Sequence, residues 1–268
     1  MSPAVRQSTA RMPVIHLAEQ WSGYCQRYAL STRQVYARTM RRFLAYAEPK
    51  TLRDITPIAI QTYLNSLLAG YCPKTANLHL VCLKSFFRWL DETYNYPNLT
   101  RKIRRFKAVD HEARCLSDEE YRKLMVTLKG RDFHLVRFLC NTGLRASELT
   151  GLAPTNINGK WLIVHGKGNK TRHVPLNDAA AESLRFIMNF SKKRYASYLI
   201  CLRAARKAGI APFSPHSCRH FFATSLLSRG APIQKVSKIL GHSSVLITEK
   251  IYWHFRHTDL AGLTDCLE

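Results

Sequence analysis

Hydrophobic periodicity stops between Pro97 and Ser117, and no other feature constrains the fold of this chain as much. Before the break the pattern is helical throughout. Leu17, Trp21 and Tyr24 recur at helical spacing, so a helix is expected over 17–28. Ser31-Thr-Arg-Gln34 has the form of a capping box that opens a second helix through Val35, Tyr36, Met40, Phe43 and Leu44. Thr56-Pro57 is an N-cap followed by an N1 proline; it starts a third helix that carries Ile60, Tyr63, Leu64, Leu67 and Leu68 to a stop at Gly70. A fourth is expected over 73–92, with Leu78, Val81, Cys82, Phe86, Trp89 and Leu90 on its apolar side. Residues 1–100 therefore read as a small helical domain, 101–113 as a basic interdomain linker, and 114–268 as a second domain opened by the capping box Ser117-Asp-Glu-Glu120.

Inside the second domain the period changes. A buried helix in 133–152 is expected to end at Gly143, with another starting at Leu144, so Arg145 sits at a helix junction and Glu148 one turn later. Asn158-Gly159 is a hairpin signal, with strands expected over 160–165 and 172–176 joined by GKGNKT, whose Lys167 lies at the turn. Helices over 178–188 and 193–208 follow, the second stopped by Gly209. The fold class is mainly α with a small antiparallel β-sheet in the C-terminal domain.

Charge indicates the partner. Lys+Arg 41 against Asp+Glu 18 gives a formal +23, spread along the chain in MRRF, RKIRRFK, GKGNKTR and SKKR. Each neutralised phosphate releases counterions, so a polyanion is the expected partner, and nucleic acid fits better than ribosomal packing or a membrane surface. Candidate DNA contacts are Arg33, Arg38, Arg41 and Arg42 on the second helix, Arg101, Lys102, Arg104 and Arg105 in the linker, and Lys170 and Arg172 on the hairpin. No two of the 8 cysteines make a C-x-x-C pair, and most have apolar neighbours, so no metal site is expected and a reducing compartment suits them. With no apolar signal core and no run long enough to span a membrane, the expected location is cytoplasmic.

Ser214 to Phe255 carries the chemistry. If Ser214-Pro215 opens a helix, His216 and Arg219 share a face of its first turns, where backbone N–H groups already favour an anion and a guanidinium adds bidentate donors for phosphate. His242 follows in LGH and Tyr252 in IYWHF. A tyrosine can attack a phosphate covalently and histidines can move the protons. Each residue alone also suits an ordinary surface helix; the set, late in a very basic chain, calls for a shared explanation.

In this order, TGLRASEL, HGKGNKTRHVPL, HSCRHFFATSLLSRG, LGHSS and IYWHF resemble the tyrosine recombinase (phage-integrase-like) family, and the N-terminal helices resemble its core-binding domain. The resemblance implies a two-domain architecture that clamps DNA, assembles as a tetramer on two duplexes, and needs no metal or nucleotide cofactor. It implies Arg145 and Arg219 as the phosphate-binding arginines, Lys167 as the hairpin lysine, His216 and His242 as catalytic histidines, Tyr252 as the nucleophile, and Glu148 as support for Arg145. The implied reaction is site-specific strand exchange through a 3′-phosphotyrosyl link. A topoisomerase-like relaxer and a non-catalytic DNA-binding factor are the alternatives. A simple Xer-type or transposon-type layout is expected.

Overall fold

Side-chain caps at Thr56, Ser117, Asn177 and Ser214 set where four of the described helices begin. In a computed structural model, residues 9–108, 114–166, 171–188, 194–242, 244–246 and 248–249 are described. They fall into two units, 1–110 and 111–268.

The first unit holds α1 (Val14–Tyr24), α2 (Leu30–Ala47), α3 (Pro57–Leu67) and α4 (Pro73–Tyr94). Thr56 Oγ1 accepts from the Ala59 amide at 3.1 Å, which satisfies an orphan donor of α3 as the sequence predicts. Trp21 stacks on Tyr36 and meets Phe86 edge-on, both at 5.5 Å between centroids, in a core shared with Phe43, Leu64, Leu80, Leu83 and Phe87. Two expectations change here. α2 starts at Leu30 with no side-chain cap, so Ser31–Gln34 lie within its first turns instead of preceding it. α4 buries Cys82, Phe86, Trp89 and Leu90 as expected, but Leu78 is exposed, and His79 is buried beside it, its Nδ1 sharing a 2.6 Å hydrogen bond with Tyr63 Oη.

The basic run read as linker is in large part packed on this first unit. Ile103 is buried in its core and Phe106 packs against it. Asn77 pins the Phe106 backbone from both sides, donating to its carbonyl at 2.9 Å and accepting from its amide at 2.8 Å. Arg101, Lys102, Arg104 and Arg105 flank these anchors with exposed side chains. Residues 109–113 lie outside the described ones.

In the second unit, Ser117 and Glu120 form the predicted reciprocal cap of α5 (Asp118–Thr127). The buried α6 (Gly130–Thr142) ends on Gly143, in the left-handed region at φ 60°. α7 (Ala146–Leu149) follows, then β1 (Ile157–Asn158), β2 (Trp161–His165) and β3 (Thr171–Pro175) in an antiparallel sheet of that order. Gly159, at φ 57°, opens the two-residue turn between β1 and β2. Leu162, Val164, Arg172 and Val174 occupy the inner face of β2 and β3, with Val164 opposite Arg172. The rest is α8 (Asp178–Ile187), α9 (Arg194–Ala208), α10 (Pro215–Ser228) and α11 (Ile233–Leu240). α6 packs against both α8 and α10, and so sets the inner wall from which the candidate site is built. Among the described residues no helix is long and apolar enough to cross a membrane.

Candidate active site

Three helix ends converge here. Gly143 turns the chain out of α6 so that Arg145 becomes the N-cap of α7. Ser214 accepts from the Ser217 amide and starts α10 at Pro215, placing His216 and Arg219 in its opening turns. Gly241, at φ 65°, ends α11 and delivers His242. The structure therefore brings Arg145, Glu148, His216, Arg219 and His242 together. Lys167, Lys170 and Tyr252 lie outside the described residues.

Arg219 is 2% exposed, and its terminal nitrogens donate to Gly143 O at 2.7 Å and Leu240 O at 2.6 Å. Burial, and then the neighbouring Arg145, push its guanidinium pKa down to about 9, which still leaves it charged at neutral pH. Arg145 is more open; it donates to Gly241 O at 3.2 Å and to Glu148 Oε1 at 2.9 Å, and its amide donates to Glu148 Oε2 at 2.7 Å.

Glu148 is buried, and burial alone would raise its pKa. Hydrogen bonds from Arg172 and Arg145 outweigh that and hold the carboxyl below its usual range. Arg172 supplies a bidentate pair, at 2.6 Å to Oε1 and 2.7 Å to Oε2. This corrects the expectation for Arg172: it is no DNA contact, since its side chain is 9% exposed and turned inward on β3. The alternation of Arg172 and Val174, opposite Val164 and Leu162, was the signal available in the sequence.

The histidines are held neutral. His216 keeps an exposed edge, yet desolvation, and then Arg219 and Arg145, lower its pKa. Desolvation, with Arg219 next, pushes His242 down to about 4, and its Nδ1 shares a 2.8 Å hydrogen bond with Thr248 Oγ1. His220, which motif reading passed over, is 5% exposed, and neither ring nitrogen has a hydrogen-bond partner. It meets His216 edge to face at 4.3 Å between centroids. Two guanidiniums thus bond one carboxylate, a third is held nearby on backbone carbonyls, and imidazoles held neutral accompany them. That arrangement is built to receive an anion. Among the described residues no group of His, Cys, Asp and Glu side chains is placed to hold a metal ion.

A four-helix unit ahead of a mixed unit whose arginines converge on an anion site defines a class that comparison with known proteins makes specific. The model of the phage integrase family matches residues 114–258, and that of the phage integrase N-terminal SAM-like domain matches residues 18–94. The chain belongs to the phage integrase family. It is 35% identical over 190 residues to the tyrosine recombinase XerD of Rhizobium meliloti, a match covering 62% of this chain and 58% of that protein. To the tyrosine recombinase XerA of Pyrococcus furiosus it is 30% identical over 277 residues, 92% of this chain and 91% of the relative. A solved lambda integrase dimer bound to a COC' core site superimposes with a TM-score of 0.78 over 90% of this chain and 95% of that one; at 18% identity this is a likeness of fold.

Proposed function

We propose that this chain is a site-specific DNA recombinase that cuts and rejoins strands through a covalent tyrosyl–phosphate link. The observation that carries the reading is the charge arrangement. Glu148 is occupied by Arg172, so Arg145 and buried Arg219 remain without a full counter-charge beside neutral His216 and His242. A pentacoordinate phosphoryl transition state gains negative charge on its non-bridging oxygens, and preorganised guanidiniums stabilise that charge where it develops.

In this reading the Tyr252 oxygen attacks the scissile phosphorus. Its proton passes to His216, whose lowered pKa keeps the imidazole free to accept it. The bond to the 5′ oxygen breaks, Lys167 donates the proton that oxygen needs, and His242 hydrogen-bonds the phosphate. The 3′ end stays esterified to Tyr252. A 5′ hydroxyl from a second duplex then attacks that ester, so strand exchange conserves the bond without a nucleotide or a metal. Exchange needs two duplexes and four cuts, which assigns the chain to a tetramer on DNA. DNA binding also draws support from relatives solved as DNA complexes, among them a lambda integrase tetramer bound to a Holliday junction. The first unit contributes exposed Arg38, Arg41 and Arg42 on α2, and Arg101, Lys102, Arg104 and Arg105 beyond α4. Arg33 is half-buried, with a terminal nitrogen bonded to Gln26.

The test begins with covalent selection from a random duplex library carrying a nick. Wild-type protein in EDTA is expected to yield a protein–DNA adduct, and Tyr252→Phe none. An adduct that survives the substitution assigns the nucleophile elsewhere, and tight binding without any adduct overturns the reading. Strand transfer between two marked duplexes then separates exchange from relaxation.

A further inference from the structure

The end of α11 carries three consecutive carbonyls, and each accepts from a different arginine. Ile239 O takes Arg172 Nε at 2.7 Å, Leu240 O takes Arg219 Nη2 at 2.6 Å, and Gly241 O takes Arg145 Nη2 at 3.2 Å. Carbonyls at a helix C-terminus have no intrahelical partner and form the negative end of its dipole, so cations are stabilising there. Of the three arginines, Arg145 and Arg219 are the ones assigned to the phosphate. Arg172 is committed within the protein: its remaining nitrogens close on both oxygens of Glu148.

We propose that Arg172 is a positioning residue for the phosphate site: it seats Arg145 through Glu148 and the His242 turn through the Ile239 carbonyl. Both therefore depend on strand β3. The inference rests on the functional reading above for what the site does, and on hydrogen bonding alone for how it is held. Glu148 is saturated, since Oε1 receives Arg172 Nη1 and Arg145 Nη1 while Oε2 receives Arg172 Nη2 and the Arg145 amide. Without Arg172 the carboxylate has one cation left, and the Arg145 guanidinium is drawn onto both its oxygens, away from the phosphate. The turn is fitted to the same side chain. A Cβ on Gly241 would lie 2.9 Å from Arg172 Cδ and 3.4 Å from its Nε, so the LGH glycine leaves room for Arg172 as well as supplying a left-handed residue. Arg172 also stands opposite Val164 in the hairpin whose connecting residues include Lys167. The inferred consequence is that this hairpin, Arg145 and the end of α11 are registered through one planar fork. Lysine cannot reproduce this, because its three donors leave one nitrogen and cannot span the separate positions that Nε, Nη1 and Nη2 occupy.

The experiment uses the full chain with Arg172→Lys and Arg172→Gln, below the melting temperature of the least stable variant. Hydrogen exchange is followed on peptides covering 143–150 and 236–242, together with single-turnover cleavage and Kd on the nicked duplex recovered by wild type. Exchange is expected to quicken in these two segments and not in α6, with Kd within about 3-fold of wild type and cleavage roughly 100-fold slower, the loss that a displacement of about 1 Å produces. In an Arg145→Ala background Arg172→Lys is expected to add clearly less than its loss in wild type, because the limb through Glu148 is already gone and only the His242 turn remains to be displaced. Unchanged exchange in both segments, a cleavage loss matched by an equal loss in Kd, or full additivity with Arg145→Ala would each overturn the proposal. A wild type that never forms an adduct overturns the functional reading instead, while the exchange data still decide whether Arg172 seats Arg145 and the turn.

Discussion

His220 shows how a single side chain ties the stability of the site to pH. Its ring is buried, unpartnered and flanked by His216 and Arg219, and burial first, then those neighbours, push its pKa from 6.5 to about 4. The sign follows from linkage. Between these values the unfolded chain binds a proton that the folded chain refuses, so stability is full above about 6.5 and is lost as pH falls toward 4. From pH 7 to pH 5 this single group removes about 2 kcal/mol. His220→Phe takes away the titration and keeps an aromatic edge against His216. Thermal melts of wild type are expected to fall on acidification to pH 5, and those of His220→Phe to fall clearly less. Equal slopes would mean that His220 gains a proton partner in the folded state. His216 and His242 are depressed in the same direction, so some acid lability remains in the variant.

At the scale of elements, the site depends on how helices end. Gly143 closes α6 in a left-handed conformation, its carbonyl receives Arg219, and a Cβ there would stand 2.5 Å from Phe222 Cδ1 and 3.0 Å from Leu240 Cδ2. Gly143→Ala combines backbone strain with overpacking between α10 and α11, an expected loss of about 2–4 kcal/mol. The melting temperature should drop by roughly 5–10 °C and cleavage should slow even where the protein stays folded. A change under about 1 kcal/mol would show that α10 and α11 shift at little cost. Such ends were legible in the sequence because their determinants are local: Thr56-Pro57, Ser117 with Glu120, Gly143, Asn158-Gly159 and Gly209 each act within a few residues. The misreadings have partners far along the chain. His79 is drawn inward by Tyr63, 16 residues away, while Arg172 is drawn inward by Glu148, 24 residues away, and by Ile239, 67 residues away. Ile103 and Phe106 read as linker because two anchors spaced by basic residues make no periodic pattern, although the core they complete is formed by helices before them. The candidate catalytic residues were legible for another reason: each belongs to a short motif whose order matches a known family. Arg172 and His220 lie inside those motifs as well, but Arg172 reads there as a DNA contact and His220 is given no role.

Over the whole molecule, a formal charge of +23 does not by itself locate the DNA-binding surface, since the 41 basic residues do several jobs. Arg172, Arg203 and Arg114 are held by Glu148, Asp132 and Glu120, whereas Arg38, Arg41 and Arg42 project from α2 with exposed side chains. A diffuse field would make all of them equal in steering the chain to DNA; counterion release makes only those lying on phosphates count in the salt dependence. Each phosphate contact contributes about −0.9 to the slope of log K against log salt on duplex DNA. Arg38→Ala with Arg41→Ala is therefore expected to weaken binding and to make that slope shallower by roughly 2. Arg172→Gln, which also removes a charge, is expected to leave it unchanged. Binding isotherms of the full chain on one duplex at a series of salt concentrations check both. If the α2 substitutions weaken binding but do not alter the slope, their basic face acts at long range and the phosphate contacts of the first unit lie elsewhere, with the run from Arg101 to Arg105 next to be tested. If Arg172→Gln makes the slope shallower, that arginine reaches DNA after all, and its place inside the Glu148 network is not the one it holds in the complex.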